Sequence, residues 1–267
     1  MSTELNRGAC ALCLKDAVLK DSHLTPQWIY RRIRDAGNGK DDPVRVANGS
    51  ACMTSQQVKK TLLCEECEDR FGKREDYVAR LTATGTAQLL QYVTIVDESM
   101  TGAVELNRDE IDTEKLSYFA ISIIWRSCFI AGGCSLGKYQ EQFRKYLIGK
   151  DEFPHFAALT MTIIKPSETA GGDVNNMYTQ PSSGRDGLLW FHGFSLFGLM
   201  FRCFVGKTLE SDWKEQVCLV GPNPKKYALL QTSNQCADHR SAVDTLLNAQ
   251  PRGKLHQKIR TRSRSSK

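Results

Sequence analysis

The sequence lacks the features that direct a protein out of the cytoplasm. Its first ten residues, MSTELNRGAC, have no apolar core and no cleavage signature, which argues against a secretory signal. One long apolar run, residues 188–206, has the length of a membrane span, but His192, Arg202 and three glycines interrupt it, and charged residues are costly in a bilayer. We interpret this run as two buried strands that join near Gly198. We therefore expect a cytoplasmic protein with no membrane partner.

Acidic residues are missing from the last part of the chain. Residues 251–267 contain seven Lys and Arg and no Asp or Glu, whereas the whole chain has a net charge of +6. The residues before this segment are therefore nearly neutral as a set. A basic segment can contact phosphates or anionic surfaces, but it is also typical of a disordered, solubilising end. We predict a basic disordered tail over residues 251–267.

The chain also lacks internal repeats, and its bulk composition is ordinary. An apolar share of 41% and a charged share of 25% in 267 residues fit a soluble globular protein with one large domain or two smaller ones. Apolar spacing and turn residues predict four helices and several strands. The predicted helices cover residues 26–36, with Thr25 as the cap, and residues 64–81, 113–130 and 139–147. The predicted strands are residues 19–24, two around Asn48–Gly49, 88–96, 103–106, 156–164, two within 188–205, 216–220 and 227–231.

Paired cysteines are the most specific signal in the sequence. Cys10 and Cys13 form one CxxC motif, and Cys64 and Cys67 form a second one at the start of a predicted helix. Two such motifs can supply a tetrahedral shell of four thiolates around Zn²⁺, at about 2.3 Å per bond. Neither motif lies in a βαβ unit with the strand–CxxC–helix order of a thioredoxin-type redox site, and a cytosolic chain keeps its thiols reduced. We predict one structural zinc ion and interpret the other six cysteines as core or free thiols.

The N-terminal motifs resemble those of the HNH endonuclease superfamily. The matching strings are CALC at residues 10–13, SHLTP at residues 22–26 and LLCEECE at residues 62–68. A zinc knuckle, then strands, then a helix that carries the second thiol pair is also the order of elements in a treble-clef finger. The resemblance covers residues 10–80, which is under a third of the chain.

This resemblance implies a ββα-metal nuclease in which the zinc ion only holds the scaffold. His23 would be the general base that activates water, and Glu68 would be a ligand of a separate divalent cation, Mg²⁺ or Mn²⁺. Two departures from the family pattern are visible: Ser22 stands where an Asp ligand is usual, and residues 59–61 occupy the place of the family's middle Asn. Because a hydroxyl is a weaker ligand for a hard cation than a carboxylate, the implied site is variant or inactive.

Each candidate residue also has a structural interpretation. His23 could bind a backbone carbonyl beside the knuckle, and Glu68 could be a solvated acid that favours the helix N-terminus. Glu75 is expected to form an ion pair with Arg31 or Arg126. Basic residues interleaved with aromatics predict nucleic-acid contacts on the first helix, although the same pattern suits an amphipathic helix with exposed arginines. The predicted nucleic-acid-binding residues are Arg31, Arg32, Lys59 and Lys60.

Together these features predict an α+β protein with a small zinc-bound, treble-clef, HNH-like domain at residues 1–85 and a larger α+β domain of unknown role at residues 86–250. The function we expect is metal-dependent hydrolysis of nucleic-acid phosphodiester bonds, with DNA as the expected partner. Family analogy suggests bacterial restriction or phage defence as the setting. The alternative is a catalytically inactive zinc module that binds nucleic acid or a protein. The larger domain would select the substrate, form a homodimer or contact a partner in a defence complex.

Overall fold

A computed structural model describes residues 6–37, 39–96, 102–165, 174–187, 189–206, 209, 218–221 and 223–265. Within these ranges the chain forms three sheets and six α-helices, which confirms the predicted α+β class. None of the described helices combines the length and the apolar composition needed to cross a bilayer. The apolar run from residue 189 to residue 205 forms the two strands β10 and β11 instead, while Leu188 itself lies outside the described residues.

The N-terminal part contains an antiparallel sheet of order β1-β2-β5 and two helices. Its elements are β1 Arg7–Ala9, β2 Asp16–His23, α1 Gln27–Ala36, β3 Val44–Ala47, β4 Ser50–Met53, β5 Lys59–Cys64 and α2 Glu65–Leu81. Strands β3 and β4 form a hairpin whose turn residues, Asn48 and Gly49, both have positive φ, as a two-residue hairpin turn requires. The two strands predicted around Asn48–Gly49 and both predicted helices of this part are confirmed. The predicted Thr25 cap is wrong, because α1 is preceded by Pro26 and the Thr25 hydroxyl hydrogen-bonds the hydroxyl of Tyr178 at 2.9 Å.

The central part is a seven-stranded sheet of order β6-β7-β12-β8-β11-β10-β9. Its elements are β6 Val93–Ile95, β7 Ala103–Leu106, α3 Thr113–Ser127, α4 Gln140–Ile148, β8 Ala157–Lys165, β9 Ser182–Asp186, β10 Leu189–Leu196, β11 Leu199–Val205 and β12 Tyr227–Thr232. All neighbouring strands are antiparallel except β8 and β12. Phe197 and Gly198 make the tight β10–β11 turn, both with positive φ, so the predicted junction near Gly198 is confirmed.

Two predicted strands differ from the structure. Residues 88–96 begin with a short 3₁₀ helix, Leu89–Tyr92, and only Val93–Ile95 is a strand. Leu89 is buried while Ile95 is exposed, so the apolar residues of this run do not all lie in the core. The predicted strand at 216–220 lies partly outside the described residues, and residues 218–220 form no strand.

One hydrophobic core runs through both predicted domains. Helix α3 is buried over nearly its whole length and packs against α2 of the N-terminal part and against β10. The ring of Trp28 in α1 lies 6.4 Å from the ring of Phe119 in α3 and 5.8 Å from that of Phe197. The boundary predicted at residue 85 therefore falls inside a continuous core. The two CxxC motifs pack against the same core as the central sheet.

The C-terminal segment is ordered against the β3–β4 hairpin. Helix α5 (Ala237–Leu247) leads to β13 (Gln250–Pro251), which pairs in parallel with β4, and then to helix α6 (Gly253–Ser265). Lys258 of α6 forms an ion pair with Asp41 in the loop before β3. The predicted disordered tail is therefore wrong for residues 253–265, because the strand pairing and this ion pair hold the basic segment in place.

Candidate metal centre and the histidine at the end of β2

The first thiol pair lies in a tight turn between β1 and β2. The amide of Leu14 donates to the carbonyl of Cys10 at 2.8 Å, and the amide of Cys10 donates to the carbonyl of Lys15 at 2.9 Å. Leu14 has a φ of 64°, an uncommon conformation for a leucine, which closes the turn. The turn thus directs the two sulfurs of the CxxC motif to the same side.

The second thiol pair lies where β5 becomes α2. Cys64 is the last residue of β5 and the cap residue of α2, and Cys67 lies in the first turn of that helix. The amide of Ala11 in the knuckle donates to the carbonyl of Leu62 at 3.0 Å, so the knuckle and β5 are joined by the backbone. The amide of Cys64 also points at the sulfur of Cys10, with 3.4 Å between nitrogen and Sγ.

Cys10, Cys13, Cys64 and Cys67 bring their four sulfurs within 4.8 Å of one another, so they could hold a metal ion. The Sγ atoms of Cys13 and Cys64 are 3.8 Å apart. A tetrahedron of thiolates with bonds of about 2.3 Å has edges of about 3.8 Å, so this spacing fits Zn²⁺. Three of the cysteines are buried and Cys13 is half-buried, as expected for a structural site rather than an open one. No other such group of ligating side chains occurs within the described ranges.

Cys10 and Cys67 differ in how easily their thiols lose a proton. Burial raises the pKa of Cys10, but the backbone amides of Cys13, Cys64 and Leu12 outweigh it and bring that pKa to about 7. Burial, together with the neighbouring sulfurs, raises the pKa of Cys67 far above its ordinary value. Cys10 therefore loses its proton readily, whereas deprotonation of Cys67 is unfavourable. A bound divalent cation would stabilise both thiolates, which is why metal binding and thiol deprotonation occur together.

Helix α4 of the central part supports the knuckle. The guanidinium of Arg144, which is 7% exposed, donates to the carbonyl of Leu12 at 2.6 Å, and two further bonds of 2.7 Å join it to the carboxylate of Glu141. This contact links the CxxC turn to a helix more than 100 residues further along the chain. Nothing in the sequence marked Arg144, because its role depends on tertiary packing alone.

Ser22 is part of the sheet and not of an open site. The register of β2 against β5 shifts between Lys20 and Asp21, so that Leu62 is an extra residue in β5. Ser22 is 1% exposed, and its hydroxyl accepts a hydrogen bond from the amide of Leu63 at 3.2 Å. Asp21 lies on the opposite face from Ser22, which is the face of His23, and it forms an exposed ion pair there with Lys59 at 3.7 Å. Ser22 is therefore turned away from His23, and the carboxylate of Asp21 is paired with Lys59.

His23 ends β2 in a defined orientation. Its Nε2 lies 2.7 Å from Oε1 of Gln57, and this amide oxygen can only accept, so Nε2 carries the proton. In the neutral ring Nδ1 is then the basic nitrogen. Gln57 precedes β5 by two residues, and only the pairing of His23 with Lys59 brings it to the imidazole. Sequence reasoning missed Gln57 because its position depends on that register.

A buried arginine holds the backbone of the same histidine. Arg126 of α3 is 1% exposed and donates to the carbonyl of His23 at 2.9 Å and to a carboxylate oxygen of Glu75 at 2.6 Å. Its guanidinium carbon also lies 5.0 Å from the centre of the Phe71 ring. The expected ion pair of Glu75 is therefore confirmed with Arg126 as its partner. This network ties the end of β2 to α2 and α3.

Glu68 is the one carboxylate near the second thiol pair with an unsatisfied oxygen. The residue is half-buried in the first turn of α2, and its Oε1 is buried with no hydrogen-bond partner among the described residues. A buried carboxylate oxygen without a donor is costly unless a cation or a donor group binds it. The donor set thus fits a cation held by one carboxylate with water and phosphate oxygens, as Mg²⁺ often is, rather than by a complete protein cage.

The four predicted nucleic-acid contacts fall into two groups. Arg32 is used internally: it donates to the carbonyl and hydroxyl of Thr82 and stacks 3.9 Å from the centre of the Phe197 ring. Lys60 donates to the carbonyl of Phe129 at 2.8 Å. Their role in nucleic-acid binding is not supported, because both side chains are committed to the fold. Arg31 and Lys59 lie on the surface, the former with a long 3.5 Å bond to Gln27.

Comparisons with protein-family models, with curated proteins and with solved structures found no match for this chain. The resemblance to HNH endonucleases therefore depends on the three N-terminal strings alone.

Proposed function

We propose that the protein is a zinc-stabilised, HNH-like endonuclease that hydrolyses phosphodiester bonds of nucleic acid, with DNA as its substrate. In this proposal the four cysteines hold a structural Zn²⁺, and the knuckle, the strands and α2 form a treble-clef unit. The main support for the proposal is the pair of hydrogen bonds that orient His23. Its Nε2 donates to Oε1 of Gln57, and its backbone carbonyl accepts from Arg126. Those two contacts leave Nδ1 as an oriented base at the end of β2.

The chemistry assigned to His23 is general base catalysis. Nδ1 takes a proton from a water molecule as that water attacks the phosphorus, and the Nε2–H···Oε1 bond to Gln57 stabilises the imidazolium that forms. Gln57 and Arg126 act through His23 and are positioning residues. When bound, a hard divalent cation such as Mg²⁺ or Mn²⁺ supplies charge stabilisation at the phosphate and the leaving oxygen. Glu68, with its unpartnered Oε1, is the carboxylate that would hold this cation.

A second candidate is a non-catalytic zinc module that binds nucleic acid or a protein partner. It is favoured by the burial of Ser22, since the hydroxyl that replaces the usual Asp ligand is bonded to the sheet, and by the outward position of Asp21. Such a module would bind nucleic acid with a strong salt dependence and leave it intact. If it bound a protein instead, a partner or a second copy would co-purify with it.

Plasmid nicking with Mg²⁺ or Mn²⁺ tests the proposal. Wild type should nick, and His23→Ala should lose about 10²–10⁴-fold in rate, the usual contribution of a general base. His155→Ala is a matched control, because His155 is exposed and lies on the loop before β8. Gln57→Leu should keep the zinc and lose part of the rate, with a shifted pH profile.

The outcomes separate the two candidates. Cleavage that requires His23 supports the nuclease. Salt-dependent binding without cleavage in either metal refutes it and supports the binding module. Cleavage that survives His23→Ala unchanged would mean that the activity has another source.

A further inference from the structure

A groove lies between α1 and α6, apart from the candidate metal centre. It has a volume of about 780 Å³ and is enclosed by α1, the β3–β4 hairpin, residues 176–180 and the two C-terminal helices. We call it the α1–α6 groove. Its size is within the range of about 300–1,000 Å³ that is usual for ligand sites. Helix α6 closes one wall through the ion pair of Lys258 with Asp41.

The floor and walls of this groove are largely apolar. Ile33 from α1, Val58 before β5 and Leu255 from α6 are among its lining side chains. Some of this apolar surface is open to solvent, since Val44 is 45% exposed and Leu246 is 39% exposed. An occupant of the groove must therefore offer apolar faces.

The rim of the groove carries positive charge. Arg34 of α1 and Arg45 of β3 are among its lining residues. Within the described residues, Arg34 contacts only its chain neighbour Asp35, at 3.6 Å, and Arg45 has no ion-pair partner. The lining also holds two acids, Asp41, which Lys258 neutralises, and Asp42, so its three cations and two acids leave a net charge of +1.

The segment that forms the α6 wall adds to this charge. Arg252 and Lys254 are exposed at the start of α6, in a segment that contains no acid. Only two apolar residues, Leu255 and Ile259, interrupt the polar sequence of this helix, which is too few for a membrane-binding face. The occupant is therefore an anion that also has flat apolar faces.

We infer that the α1–α6 groove binds an unpaired strand of nucleic acid. A duplex hides its base faces in the stack, whereas a single strand exposes them next to its phosphates, which matches an apolar floor with cations at the rim. Arg34 and Arg45 contact the phosphates, and the apolar floor covers the bases. This inference depends on nucleic acid being the partner in the proposed function, and it names unpaired strands as the form that the groove binds.

Fluorescence anisotropy without divalent cations tests this inference separately from cleavage. The probes are a short labelled single-stranded oligonucleotide and the duplex of the same sequence, with wild type, Arg34→Gln/Arg45→Gln and the matched control Lys73→Gln/Lys150→Gln. Both control lysines are exposed and lie outside the groove. Ala47→Trp, at an exposed lining position, fills the groove without removing charge. Zinc content and circular dichroism report whether each variant is folded.

Wild type should bind the single strand about tenfold more tightly than the duplex, as one or more covered bases would provide. The arginine variant should flatten the slope of log affinity against log salt by about 1.4, since each lost contact to a single strand accounts for about 0.7. Ala47→Trp should lower single-strand affinity and leave the slope unchanged. Equal binding of strand and duplex, or unaltered binding by folded groove variants, would overturn the inference. Binding of the protein to anionic vesicles, without binding to the oligonucleotide, would also overturn it.

Cleavage and binding report on different claims. A protein that nicks through His23 but binds single strands independently of the groove retains the proposed function and refutes the groove assignment. A protein that binds single strands through the groove but never cleaves supports the groove assignment and refutes the nuclease.

Discussion

Replacing Arg126 by methionine should destabilise the protein by about 3–5 kcal/mol, the usual cost of removing one partner of a buried ion pair. The side chain of Arg126 is 1% exposed and that of Glu75 is 16% exposed, so water can compensate for little of the loss. Methionine fills the space of the aliphatic stem but donates no hydrogen bond. The carboxylate of Glu75 and the carbonyl of His23 would then both lose their donor, and each was bonded within 3 Å.

A double-mutant cycle measures this interaction directly. The proteins are wild type, Arg126→Met, Glu75→Gln and the double variant, all loaded with zinc and unfolded in urea under circular dichroism. The two sites are in contact, so their effects should couple by about 0.5–3 kcal/mol, and the double variant should be more stable than the sum predicts. Arg80→Met, an exposed arginine at the end of α2, should cost less than about 1 kcal/mol. If the free energy of unfolding of Arg126→Met lay within about 1 kcal/mol of that of wild type, as expected for a surface residue, this reasoning would be refuted.

Three further predictions follow from the site and the core. Cys64→Ser should lose the metal and melt the N-terminal part, because structural zinc binding and folding are coupled; circular dichroism with metal analysis checks this. Ser22→Ala should cost about 1–3 kcal/mol in urea unfolding, since it leaves the amide of Leu63 buried without an acceptor. Burial lowers the pKa of His192, so protonation favours the unfolded chain, and stability present above about pH 6.5 falls as the pH drops below that value. His192→Gln should flatten this acid decline.

Local chemistry made much of the N-terminal part predictable. Two CxxC motifs can coordinate one tetrahedral ion only if the two chain segments lie close together. The structure brings the four sulfurs together. Asn48–Gly49 specifies a two-residue hairpin turn, and Pro26 and Gly37 bound α1, because each of these residues restricts or frees the backbone by its own covalent structure. Such signals are read from a few neighbouring residues.

The features that could not be predicted from the sequence depend on packing between residues far apart in the chain. Arg32 has the pattern of a nucleic-acid contact, but the end of α2 and the Phe197 ring take up its guanidinium. Helix α6 has the composition of a disordered tail, and it is ordered by a two-residue strand and an ion pair with Asp41. Gln57 reaches His23 only through the register of β2 and β5. In each case the partner is distant in sequence, so no local pattern identifies it.

The most direct test of the account is the metal content of the purified protein. Elemental analysis should find about one zinc per chain in wild type, as expected for a single four-thiolate shell, and should find it lost in Cys64→Ser. A wild type without stoichiometric metal would contradict the four-cysteine site and the scaffold that positions His23. Full retention of zinc in Cys64→Ser would contradict it equally.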